Sequence, residues 1–259
     1  MALVYRACID KKHYLNSEYS NEYQSPVISE FSLTIEPGEF VALTGPSGAG
    51  KSTLLNIMAG LDTDYTGSIC YGNNAHTARV ALMFQEHRLM PWLTLQDNIA
   101  LVVEGKQADR IERARYWLNE VGLSAYQRYY PNALSGGMLK RAALARAFAF
   151  EPDVLLLDEP FSSLDIHTAA EIKERLLLLW EKQSISVLLV THDINEAVSL
   201  ADRVVTVSHS PMRVLHSISI SQNRPRQLNH PDMSAIATQV STWIYDQSKQ
   251  MPPNRQSVG

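Results

Sequence analysis

The chain has 259 residues, a net charge of −4, and 45% hydrophobic against 19% charged residues, the balance of a soluble globular protein with one large or two small domains. It shows no Lys/Arg block of the kind that marks a nucleic-acid surface. No apolar run nears the ~18–20 residues that span a bilayer, and no signal-peptide core follows Met1, so an interior protein is expected. Two cysteines, Cys8 and Cys70, exclude a disulfide framework, lack metal-like spacing and point to a reducing cytosol.

In chain order, Leu3–Ile9 reads as a strand, followed by a polar, Tyr-rich stretch that Pro26 ends. Phe31–Ile35 alternates cleanly and predicts a second strand, and Glu36-Pro37-Gly38-Glu39 a turn into the apolar run Phe40–Leu43. Then come Gly45-Pro46-Ser47-Gly48-Ala49-Gly50-Lys51-Ser52-Thr53 and the helix-forming run Leu54–Ala59, with Gly60 placed to cap it. Strand-like pieces at Gly67–Tyr71 and Arg79–Phe84 flank a loop over Gly72–Thr77. Helical periodicity is expected over Gln107–Val121 and Met138–Phe150, with Glu151-Pro152-Asp153 as the stop. Val154–Leu157, Ser186–Val190 and Arg203–Val207 are continuous apolar runs, as strands covered on both faces require, and Ala169–Lys182 is a helix. Strands alternating with helices predict a mostly parallel α/β sheet, into which the helical stretch from about Glu86 to Phe150 is inserted. The polar tail beyond Met251-Pro252-Pro253 is expected to be disordered.

The stretch Gly45–Thr53 fits G-x-x-x-x-G-K-[ST] between a strand and a helix. Glycines there let successive N–H groups turn inward, and the helix start adds positive potential for phosphates. Lys51 would reach the outer phosphates and the Ser52 hydroxyl would take a position on Mg²⁺. Asp158 and Glu159 end the apolar run Val154–Leu157, the place where open α/β sheets bind ligands. Asp158 suits the Mg²⁺ shell, and Glu159 suits a general base toward the water that attacks a γ-phosphate. Thr191-His192-Asp193 follows Ser186–Val190 in the same way, so His192 is placed to donate to that phosphate.

The order Pro-Ser-Gly-x-Gly-Lys-Ser-Thr, Leu134-Ser135-Gly136-Gly137, Leu-Leu-Leu-Asp-Glu-Pro and Thr191-His192-Asp193 resembles the ATP-binding subunits of ABC transporters, over about Leu3 to Leu215. The resemblance implies a P-loop NTPase (RecA-like) core with a mostly parallel sheet, an antiparallel β portion near the N-terminus and an inserted helical subdomain. Its divisions would be 1–86 with 151–215, then 87–150, then a C-terminal extension over 216–259. It also implies a head-to-tail dimer sandwiching two ATP molecules, with Ser135, Gly136 and Gly137 of one copy completing the phosphate loop of the other. Gln85 matches the family's Q-loop glutamine, near Mg²⁺ and the attacking water, and Ser162-Ser163-Leu164-Asp165 its D-loop. An aromatic after the first strand would stack on adenine; Tyr14 fits, and Tyr23 fits on a different count. Two departures stand out: Met138 replaces the glutamine that usually ends the signature, and the stretch after Tyr14 is long.

Leu89-Met90-Pro91-Trp92-Leu93, a signature ending in Met, Leu177–Trp180, Arg224-Pro225-Arg226 and a helix over Asp232–Tyr245 resemble the nitrate/sulfonate/taurine-type importer branch. Met90-Pro91-Trp92 is either a rigid apolar patch for a permease's coupling helix or local core. The expectation is an ATP-hydrolysing subunit on the cytoplasmic face of a bacterial membrane, working with permease subunits and indirectly with a solute-binding protein. The alternative is a soluble ABC ATPase acting on nucleic acid or translation machinery.

Overall fold

A computed structural model describes residues 4–14, 26–72 and 78–249. Its strands are β1 (Tyr5–Lys12), β2 (Ile28–Ile35), β3 (Phe40–Thr44), β4 (Thr66–Tyr71), β5 (Val80–Met83), β6 (Val154–Asp158), β7 (Ser186–Val190), β8 (Arg203–Val207) and β9 (Val214–Ser219). Its helices are α1 (Lys51–Met58), α2 (Leu95–Ala100), α3 (Gln107–Glu120), α4 (Gly136–Ala149), α5 (Ile166–Gln183), α6 (Ile194–Leu200) and α7 (Pro231–Lys249). The chain divides into two compact units. The first takes the described residues of Met1–Tyr5, Ile35–Glu39 and Tyr71–Leu189; the second takes those of Arg6–Thr34, Phe40–Cys70 and Val190–Gly259.

In the first unit β5, β6 and β7 lie side by side in that order. β5 and β6 run parallel, with Val80 opposite Val154 and Met83 opposite Leu157. Val154–Leu157 are wholly buried, which explains their unbroken apolar composition. Helices α2, α3 and α4 pack on one another, and Trp117 of α3 meets Phe148 of α4 with ring centroids 5.9 Å apart. In the second unit β3 pairs parallel with β8, with Val41 opposite Arg203 and Thr44 opposite Thr206, and β9 pairs antiparallel with β8. β2, β1 and β4 form a separate three-stranded sheet, where Tyr5, Ala7 and Ile9 are buried on alternate positions of β1.

The segment between β9 and α7 is pinned by two arginines. Arg226, almost wholly buried, donates to the carbonyls of Gln222 at 2.8 Å and Val198 at 3.0 Å, and to that of Ala201. Burial, then the neighbouring Arg224 charge, push its pKa down to about 10. Arg224 pairs with Asp202 at 2.7 Å, and Asp202 in turn accepts the Phe40 N–H at 2.9 Å. The Arg-Pro-Arg segment therefore fastens the second unit's own helices and strands.

Several boundaries differ from the sequence-based expectation for local physical reasons. β1 runs to Lys12 rather than ending at Ile9, because the buried Lys12 ammonium is held by Asp62 at 2.9 Å and the Asp64 carbonyl at 2.7 Å. α5 begins at Ile166, not Ala169, since Asp165 caps it by accepting the Thr168 N–H at 3.0 Å. Gly60 ends α1 as expected, in a left-handed turn (φ 71°) whose N–H bonds Ile57 O at 3.0 Å while Leu61 N–H bonds Asn56 O at 2.9 Å. The short α2 falls inside the expected helical stretch, while α6 and β9 lie outside every expected element. Tyr23, residues 73–77 of the expected Gly72–Thr77 loop, and the tail beyond Met251 lie outside the described residues.

Candidate nucleotide site

The glycine-rich loop leaves the fully buried β3 in the second unit. At Gly45 a Cβ would sit 2.6 Å from Val207 Cγ2 and 2.9 Å from the Val207 carbonyl, so only glycine lets the loop pass β8 this closely. Gly48 (φ 74°) and Gly50 (φ 102°) take left-handed conformations, and Ala49 N–H closes a turn on Pro46 O at 3.3 Å. Lys51, the buried first residue of α1, turns back so that Nζ donates to Gly45 O at 2.9 Å and Pro46 O at 2.7 Å. Ser47, Gly48 and the hydroxyl-bearing Ser52 are exposed, and no acidic residue stands in the first turn of α1. The result is an ammonium clamped among loop carbonyls beside a helix N-terminus, a cradle suited to a polyanion.

Two further candidates join this loop within the same unit. The Tyr14 hydroxyl lies 2.8 Å from Thr53 Oγ1, which holds a half-exposed ring at the loop's end with Lys12 Nζ 5.0 Å from its centroid. Thr191 N–H bonds Leu43 O at 3.2 Å, so the exposed His192 leaves its strand two residues from where the loop leaves β3. Asp193, beside it, is the N-cap of α6 and accepts from Asn195 N at 2.8 Å and Glu196 N at 3.3 Å.

In the first unit, Asp158 ends β6 half-buried and Glu159 follows with φ 44°. That left-handed backbone, costly for a glutamate by about 1–3 kcal/mol, is held by Ser162, whose N–H and hydroxyl donate to Glu159 O at 3.2 and 2.9 Å. Because β5 and β6 run parallel and in register, Gln85 leaves β5 at the same edge as the acid pair. Its main-chain carbonyl accepts the buried Lys140 ammonium from α4. Burial lowers the Lys140 pKa, and the charges of Asp158 and Glu159 oppose that shift. Lys140 was not among the sequence candidates. The available signal was a lysine in step with Ala143, Leu144 and Ala147, the buried face of α4.

Ser135, Gly136 and Gly137 open α4. Ser135 Oγ accepts Met138 N–H at 3.4 Å, so position 138 contributes its backbone to the cap. A Cβ on Gly137 would lie 2.4 Å from Thr168 Cγ2, whereas one on Gly136 would meet nothing within 4 Å. The first turn of α4 carries no acid, so no carboxylate there would repel an anion. Within the same unit, Asn98 is wholly buried and ties the loop before α2: Oδ1 accepts Met90 N–H at 2.7 Å, and Nδ2 lies 3.0–3.1 Å from the carbonyls of Met90, Leu93 and Thr94. Trp92 is thereby displayed with 69% of its surface exposed, so it is not part of the local core. Among the described residues no helix is long and apolar enough to cross a membrane, and no cluster of three or more His, Cys, Asp or Glu could hold a metal unaided.

The model of the family described as ABC transporter matches residues 28–162. The aliphatic sulfonates import ATP-binding protein SsuB of Bacillus subtilis (strain 168) is 41% identical over 220 residues, covering 84% of this chain and 86% of that protein. This chain belongs to the ABC transporter family. A second relative of this ABC ATPase, SsuB 3 of Nocardia farcinica (strain IFM 10152), is 46% identical over 210 residues, 81% of each chain. Among solved structures, the dimeric ATP-binding cassette MJ0796 in a post-hydrolysis state bound to ADP and Pi aligns with a TM-score of 0.71 at 30% identity. That alignment covers 85% of this chain and all of that one. The expected P-loop α/β cassette of the nitrate/sulfonate/taurine-type importer branch, with its mostly parallel sheet, antiparallel strands and ATP-hydrolysing activity, is borne out.

Proposed function

We propose that this ABC ATPase energises import of a small sulfonate-type solute through a separate membrane permease. The observation that carries the reading is the loop Gly45–Thr53, whose backbone curls around the inturned Lys51 ammonium as a phosphate site requires. The sulfonate class rests on the names of the relatives, and the dimer on the dimeric cassette to which the fold is similar.

In this reading Lys51 and the loop N–H groups bind the β- and γ-phosphates of ATP, and Tyr14 stacks on adenine. Ser135, Gly136 and Gly137 of a second, head-to-tail copy close over the γ-phosphate. Glu159 takes a proton from water as its oxygen bonds the γ-phosphorus and the bridging P–O bond breaks, giving ADP and phosphate; His192 donates to the transferred group. Ser52, Asp158 and Gln85 offer only hard oxygen donors, the set that suits Mg²⁺ held jointly with substrate phosphates. When bound, Mg²⁺ neutralises phosphate charge. Segments 1–86 and 151–215 would form the nucleotide-binding core, 87–150 the helical subdomain that carries the signature, and 216–259 an extension. The displayed Met90-Pro91-Trp92 patch would receive the permease, placing the subunit on the cytoplasmic face of a bacterial membrane, with a solute-binding protein on the far side.

Glu159→Gln should keep ATP binding while lowering turnover about 10²–10⁴-fold and accumulating an ATP-bound dimer, measured by nucleotide binding, phosphate release and sizing. Unchanged turnover would remove Glu159 from the base role. Co-purification with a polytopic membrane protein, and loss of alkanesulfonate uptake on deletion, would support the transport reading. Tight RNA or DNA association with intact uptake would overturn it.

A further inference from the structure

The buried cation of the signature helix has no role in the scheme above. Lys140 sits four residues after Gly136 with only 8% of its surface exposed, on the α4 face otherwise lined by Ala143, Leu144 and Ala147. A lysine can be buried at modest cost only if its ammonium finds polar partners. It finds the main-chain carbonyl of Gln85, 55 residues earlier, and the charges of Asp158 and Glu159 act on it from the end of β6. One side chain thus touches the segment after β5, belongs to the helix that begins with Ser135–Gly137, and answers electrostatically to the acid pair. A neutral side chain could fill the same space, but it would hold the Gln85 carbonyl more weakly.

We propose that Lys140 is a positioning residue whose charge holds the Gln85 segment in register with Asp158 and Glu159, so that movement of the signature helix is felt directly at the hydrolysis centre. The proposal rests on the assignment of Glu159 and Gln85 made above. It predicts an effect on turnover rather than on nucleotide binding, because Lys140 acts through groups that serve the chemical step.

The test compares the full chain with Lys140→Gln, Lys140→Arg and Glu159→Gln under MgATP. Lys140→Gln keeps a donor, on a side chain one bond shorter, but removes the charge. Its kcat should fall about 10-fold while KM and the melting temperature stay near wild type, and Lys140→Arg, which keeps the charge, should recover most of the lost rate. Lys140→Gln with a wild-type kcat, or Lys140→Arg as impaired as Lys140→Gln, would overturn the proposal. Glu159→Gln separates the two failures: if it turns over normally, the acid-pair reading falls and takes the proposal with it. If it is inactive while Lys140→Gln is fully active, the proposal alone falls.

Discussion

The chain opens two helices with small residues and no first-turn acid, and the two are built differently. The start of α1 is packed and inward: Gly45 is pressed on Val207, Gly50 is left-handed, and Lys51 spends its hydrogen bonds on the loop's own carbonyls. The start of α4 is open: Ser135 caps it from its own side chain, and Gly136 faces empty space. The first is a cradle complete in its backbone and in need only of a ligand. The second is a surface whose use requires something brought to it. That difference matches an ATPase in which one copy holds the nucleotide and another closes over it.

The largest expected effect comes from emptying the cradle. Lys51→Ala should lower ATP affinity about 100-fold or more, since a buried charge partner of the phosphates is lost; titration with a fluorescent ATP analogue reads it directly. Near-normal affinity would mean that backbone N–H groups alone bind the phosphates. Next in size is Gly45→Ala. Its Cβ would strike the backbone carbonyl and side chain of Val207, so β3 and β8 must part, at a cost of about 1–3 kcal/mol in denaturant unfolding. Gly136→Ala sharpens the contrast from the other side. With nothing within 4 Å, stability should hold or rise by up to about 0.5–1 kcal/mol, because alanine is the better helix residue. Turnover should nevertheless drop about 10-fold if that face meets a phosphate held by another copy, which phosphate-release assays at saturating ATP would read. Stable protein with full turnover would sink the shared-site reading.

These contrasts also mark what could be read from sequence. The loop, the acid pair and the buried strands were legible because each is a local pattern: glycines at fixed spacing, an apolar run ended by Asp158-Glu159. The helix starts were written locally too, at Thr94-Leu95-Gln96-Asp97 and Asp193-Ile194-Asn195-Glu196, where Thr94 and Asp193 cap α2 and α6; these helices are too short for periodicity to reveal. What could not be read is the work of long side chains reaching distant backbone. Lys140 to Gln85 and Arg146 to the carbonyls of His87 and Arg88 depend on where the chain returns, not on neighbouring letters. Gly45 belongs to both classes: its place in the motif was plain, but the Val207 contact that enforces it was not.

The smallest effect is the most specific to the open helix start. Ser135→Ala removes the only side-chain cap of α4, but the bond it breaks is long, 3.4 Å to Met138 N–H. Capping losses run from about 0.5 to 2 kcal/mol, and a stretched bond belongs at the low end, so unfolding should shift by about 0.5 kcal/mol. That is a change in melting temperature of about 1–2 °C. If the hydroxyl serves only α4, turnover will be unchanged once folded protein is counted. If it also meets a phosphate held by a second copy, turnover at saturating ATP will fall well beyond what the small stability change explains. Equal small losses in both would confine Ser135 to the cap and leave the open face of Gly136 as the part of this helix start that a nucleotide uses.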